Sequence, residues 1–180
     1  MLFSYTECIE KYKSDYFIKK AIGNGELFKI EPGIYSDKES VSELAVIAKQ
    51  YPNAVFAMNS AFYYWKLTDT IPDYYYLMTN KNSSRISDNR VKQLFDNNNS
   101  LNLGITILNV EGVDIKVFSK ERMIVELMRI KNRLAFDYYK EVVSNFRKQI
   151  YELDFSLIEK YAEALPKSNI VIRSIQEEVL

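Results

Sequence analysis

The chain has 180 residues, with 24 Lys plus Arg against 24 Asp plus Glu and no histidine. That length buries one full core, or carries a small module beside a larger one. The missing histidines exclude Ser-His-Asp and Cys-His catalytic sites and His-containing zinc sites within the chain, and the single Cys8 excludes an internal disulfide and a Cys₄ site.

In chain order, residues 5–13, YTECIEKYK, read as a short helix with Cys8, Ile9 and Tyr12 on its buried face. A second helix starts at Ser14, whose hydroxyl can cap an early backbone N–H. Its apolar stripe is Phe17, Ile18, Ala21 and Ile22, which leaves Tyr16, Lys19 and Lys20 facing solvent. Gly23 and Gly25 stop this helix. Leu27 to Ile30 and Ile34-Tyr35 then form two strands around Glu31-Pro32-Gly33-Ile34, a type II turn with Pro second and Gly third. Two helices, a turn and a hairpin outline a winged helix–turn–helix. Ser14, Tyr16, Lys19, Lys20 and the wing residue Lys29 are its candidate DNA-binding residues. Residues 1–35 balance five lysines with five acids, so phosphate binding there rests on local clustering of lysines.

The polar stretch Ser36 to Ser42 marks the expected domain boundary, with residues 1–38 as the DNA-binding module and 39–180 as a larger α+β domain. Its expected elements begin with a helix from Val41 to Gln50. A second helix, capped by Asn59 or Ser60, runs to Trp65 and is rich in aromatic residues. A strand follows at Tyr74 to Thr79, and a hairpin turns at Glu111-Gly112. Ser119 then caps a helix carrying Met123, Ile124, Leu127 and Met128 on one face, and three further helices complete a helical C-terminal half. The basic excess lies here. Arg122, Arg129 and Arg133 fall off the first helix's apolar stripe, and Lys140, Arg147 and Lys148 fall off the second's, which suggests one basic surface.

The order of these parts resembles the AbiEi family of antitoxins from bacterial two-gene abortive-infection systems. Ser60-Ala61, Leu67-Thr68-Asp69 and Ile71-Pro72 stand where that family has a Ser-Ala pair and a Leu-Thr-Asp…Pro block. Gly112 to Arg129 stands for its Glu-Arg-containing block, with Glu121 and Arg122 matching. Asn59 replaces the usual histidine. The resemblance covers nearly the whole chain from about Tyr5. It implies an N-terminal winged domain that binds operator DNA with inverted repeats and represses its own operon. It also implies an antitoxin domain, here with the candidate surface Arg122, Arg129, Arg133, Lys140, Arg147 and Lys148. The functional partner would be a nucleotidyltransferase-like toxin that need not form a stable complex with it. No catalytic residues, metal or cofactor are expected.

Two other readings stay open. Pro72-Asp73 with Asp114-Ile115-Lys116 spells the pattern of a PD-(D/E)xK nuclease, whose carboxylates would hold Mg²⁺. A protein-interaction module without DNA binding is the other. The chain has no Gly-Ser dipeptide for nucleotidyl transfer and no Walker-type phosphate loop. Tyr74-Tyr75-Tyr76 could stack bases, although adjacent strand residues face opposite ways. No apolar run approaches eighteen residues, and the N-terminus lacks the apolar core of a signal peptide, so no membrane association and a cytoplasmic location are expected.

Overall fold

The computed structural model describes residues 1–180 as an α+β protein with eight α-helices and two separate sheets. It divides into two compact units. The first holds Met1–Pro52 with Glu111–Asp114, and the second holds Asn53–Val110 with Ile115–Leu180. The division falls after Pro52, not within Ser36 to Ser42, so the expected 38/39 boundary moves.

The first unit opens with strand β1 (Leu2–Ser4) and helix α1 (Tyr5–Tyr12). Ser4 and Glu7 close a capping box, each side chain bonding the other's backbone N–H. Lys13, in the left-handed region at φ +69°, ends α1 and aims the chain into α2 (Asp15–Gly23). Strands β2 (Phe28–Glu31) and β3 (Ile34–Ser36) form the hairpin, with Gly33 at φ +79° as a type II turn requires. The sheet order is β1-β3-β2, all antiparallel. A strand, two helices and a hairpin whose last strand pairs back to the first is winged-helix connectivity. The core joins Cys8, Ile18, Ala21, Leu27 and Tyr35. Helix α3 (Glu43–Gln50) packs on β1 and β3, and its Lys49 pairs with Glu7 of α1.

The second unit is built on a five-stranded sheet in the order β6-β5-β4-β8-β7. Its strands are β4 (Val55–Phe56), β5 (Tyr75–Asn80), β6 (Val91–Asp96), β7 (Ile105–Val110) and β8 (Val113–Phe118). Strand β4 runs antiparallel to β5 and parallel to β8, and β5 runs parallel to β6. Strand β6 is not expected from the residues. VKQLFD is half polar because it is an edge strand, exposed along one side. Glu111 and Gly112, at φ +49° and +84°, make the type I′ turn that suits the twist of a two-residue hairpin.

Helix α4 (Met58–Tyr64) starts before Asn59, so neither Asn59 nor Ser60 caps it. Ser60 is buried within it and bonds β5 instead. The aromatic surplus is consumed inside this unit. Phe56 meets Tyr64 and Tyr75 edge-on, Phe62 meets Tyr138, and Trp65 Nε1–H donates to the Phe118 carbonyl at 2.7 Å. Ser119 caps α5 (Lys120–Ile130) as its spacing suggests. Helices α6 (Phe136–Lys148), α7 (Phe155–Glu163) and α8 (Ser168–Glu178) follow, and α5 packs against α7 and α8. No helix is long and apolar enough to cross a membrane.

Candidate functional site

Helix α2 carries most of the candidate DNA-binding residues. Ser14 caps it, its hydroxyl accepting from Phe17 N–H at 3.4 Å. That bond makes Ser14 part of the helix entry. Tyr16 is 69% exposed, and Lys19 and Lys20 are exposed beside it. Lys19 bridges to Asp15 one turn back at 2.9 Å, and this hydrogen bond raises its ammonium pKa. Lys29 is exposed on β2, opposite Tyr35.

Phe17 departs from the expected stripe. It is 49% exposed and packs edge-on against Tyr16, with ring centroids 5.4 Å apart. Helix α2 is short and has one neighbouring layer, so it buries only the Ile18–Ala21 edge of its stripe. Phe17 instead lines a groove of about 490 Å³ between α1 and α2, together with Lys11, Tyr12, Lys13 and Lys20. Lys11 sits over the Phe3 and Tyr12 rings at 4.7 and 5.2 Å. Lys11, Lys13 and Phe17 were not among the candidates. The left-handed Lys13 that aims this lysine cluster is a tertiary feature without a glycine to announce it.

The six cations of the expected antitoxin surface do not form one surface. Arg122 is 1% exposed. Its Nε and Nη2 donate to Glu126 Oε1 at 3.0 and 2.7 Å, its Nη1 donates to the Ser100 and Leu103 carbonyls, and its Nη2 also reaches Ser100 Oγ. Off the apolar stripe of α5 there is still protein, because the segment after β6 folds over that face. Arg122 is therefore a buried structural cation, not a surface contact. Arg129 is half-buried and bonds both oxygens of Glu126. Arg133 is exposed in the 3₁₀ turn at 131–133 that follows α5. On α6, Lys140 is exposed over the Phe136 ring, Arg147 donates to the Glu178 carbonyl at 2.9 Å, and Lys148 bonds Asn145.

The network continues from Arg122. Ser100 Oγ and N–H bond the buried Asp96. Burial pushes the Asp96 carboxyl pKa up, but the N–H groups of Asn98 and Ser100 outweigh it and hold it below the ordinary range.

The nuclease pattern fails on geometry. Strands β5 and β8 run in opposite directions, with Phe56 of β4 pairing Leu77 on one side and Val117 on the other. Asp73 precedes Leu77 and Asp114 precedes Val117, so they lie toward opposite ends of the sheet, roughly 20 Å apart along the strands. They cannot share a Mg²⁺. Of the tyrosine run, Tyr74 is exposed, Tyr75 packs on Phe56, and Tyr76 lines a cavity.

No protein-family model matches this chain, and no curated protein matches it significantly.

Proposed function

We propose that this chain is a DNA-binding autorepressor that also acts as the antitoxin of a bacterial two-gene toxin–antitoxin system. One observation carries the DNA reading: a unit of winged-helix connectivity presents Tyr16, Lys19 and Lys20 on the open face of α2, beside a groove lined by Lys11 and Lys13. In this reading α2 enters the major groove of an operator with inverted repeats, and the lysines neutralise flanking phosphates. The local lysine cluster supplies what the balanced charge of residues 1–35 does not. Lys29 on β2 contacts the backbone beside it.

The test is fluorescence anisotropy on the chain's own promoter fragment. Lys19→Ala with Lys20→Ala should weaken binding across sequences and flatten the salt slope by about two. Unchanged operator affinity at physiological salt overturns the assignment.

The antitoxin reading rests on the resemblance to AbiEi antitoxins and on the exposed cations that remain after Arg122 is removed. Arg133, Lys140 and Lys148 are the ones to reverse. Lys140→Glu with Lys148→Glu and Arg133→Glu should abolish protection against a co-expressed nucleotidyltransferase-like toxin while operator binding persists. Full protection by that variant overturns the surface. A cytoplasmic location belongs to the same proposal.

A further inference from the structure

The second unit contains a cavity that neither DNA binding nor the exposed cations of α6 explain. We propose that it binds a mononucleotide group, a nucleobase carrying a phosphate. The site is independent of the DNA-binding face.

The cavity, about 550 Å³, opens between α5 and strands β5 and β6. That is within the range of about 300–1,000 Å³ typical of small-ligand sites. Its walls differ chemically. One is a polar stripe along α5 and the turn after it, with Arg122 at its base and then Glu126, Arg129 and Arg133. The other is mainly apolar, made by Met58 of α4 and by Tyr76, Met78 and Leu94, which share one face of β5 and β6, with Phe95 at the strand edge. Asn59, Asp96, Asn97 and Asn98, with Ile130 and Leu134 beside the arginines, complete the lining.

The Ser100 and Leu103 carbonyls account for Arg122, so the outer charges are the ones left to explain. A buried Arg–Glu–Arg network holds a fold no better than apolar side chains of similar volume. An apolar stripe on α5 would also close the cavity against Leu94 and Met78. The outer charges, Arg129 and Arg133, therefore point to a ligand. Along the network, Arg129 and Arg122 are balanced by Glu126 and by Asp96, which Ser100 links to Arg122. Arg133 forms no ion pair, and its charge is the local excess. Arg129 spends only Nη1 on Glu126, so its Nε–H and Nη2–H groups keep their donors, in a guanidinium whose orientation Glu126 holds. Two arginines one turn apart, one pre-oriented, fit the oxygens of a phosphate.

Inorganic phosphate alone would leave the facing wall unused. The Tyr76 ring, on the same face as Met78 and Leu94, offers a stacking surface for a base, and the two methionines adapt to its shape. The asparagine amides bring both donors and acceptors, as a base edge requires.

The full chain is titrated calorimetrically with the four ribonucleoside 5′-monophosphates, with inorganic phosphate and free nucleosides as controls. At least one monophosphate should saturate with a Kd below about 1 mM, at least tenfold tighter than either control. Arg133→Ala and Tyr76→Leu should each weaken it about tenfold, one through the phosphate and the other through stacking. Arg133 is exposed, so its variant should keep the parent melting temperature, and circular dichroism confirms that Tyr76→Leu is folded at the titration temperature. The Lys19→Ala, Lys20→Ala protein should bind as well as the parent. An oligoribonucleotide ending in the preferred nucleotide separates two sources: tighter, Arg133-dependent binding assigns the group to a strand end, and weaker binding assigns it to free nucleotide. No saturation up to about 10 mM, phosphate binding as tight as any nucleotide, or full affinity in both variants overturns the proposal.

Discussion

Arg122 and Glu126 stand one turn apart on α5 and share a buried ion pair, Nη2 to Oε1 at 2.7 Å, with Arg129 closing on the same carboxylate from the next turn. Glu126 thus holds two guanidinium groups, the buried one of Arg122 and the half-buried one of Arg129 at the cavity wall. Removing it leaves both without their counter-charge. Glu126→Leu should cost about 3–5 kcal/mol in urea unfolding. Arg122→Met with Glu126→Leu should cost less than the single change, because the uncompensated buried charge is gone. A double variant as unstable as the single one would mean that the carbonyls of Ser100 and Leu103 need Arg122 more than Glu126 does.

Gly104 lies under that same arginine. Its φ is +74°, and a Cβ there would meet Arg122 Cβ at 2.8 Å and Tyr161 Cε2 at 3.2 Å. Gly104→Ala combines a left-handed backbone penalty with a clash against a helix that cannot retreat. It should destabilise the protein by about 2 kcal/mol or more, several degrees in Tm for a chain this size. Gly112→Ala meets no atom within 4 Å and should cost only the backbone term.

Ser60 makes a third case. Its hydroxyl accepts from Tyr76 N–H at 2.8 Å and donates to the Tyr74 carbonyl at 3.4 Å, tying α4 to the start of β5. Ser60→Ala leaves a strand N–H without an acceptor and should cost about 1–3 kcal/mol. Hydrogen exchange at the Tyr76 amide should rise more than at neighbouring strand amides. Equal protection in both proteins would count against this bond.

Acid should loosen the first unit through Glu7. Its hydrogen bond to Lys49, then the Ser4 N–H, hold its pKa down at about 2, against an ordinary value of 4.5. The folded state therefore binds this proton less readily than the unfolded chain. The stabilisation is complete above about pH 4.5 and is lost as pH falls toward 2. The pair is partly exposed, so solvent screening limits the effect to about 1 kcal/mol. Glu7→Gln should remove that part of the acid limb and leave stability above pH 6 lower by a similar amount.

Several features were readable from the residues because they close within a few positions. The caps at Ser14 and Ser119, the Pro32-Gly33 turn and the Glu111-Gly112 turn each depend on bonds or dihedrals within a four-residue window. Apolar spacing placed the helices for the same reason. Spacing misjudged Phe17, since a stripe says which side is apolar and not how much of it a neighbour covers.

By itself the sequence determined the helices, the two tight turns, the absence of histidine chemistry and the small N-terminal hairpin pairing outside the larger sheet. The tertiary structure alone decided the fate of the charges. Arg122 looked like a surface cation because it lies off the apolar face of α5. It is buried because Ser100 and Leu103, some twenty positions away, bring their carbonyls to it. The same holds for β6, which is a strand because β5 pairs with it, and for the division after Pro52, set by α3 packing on β1 and β3. Local chemistry is written in neighbouring residues, whereas the partners of a buried charge or an edge strand come from distant parts of the chain and exist only once it folds.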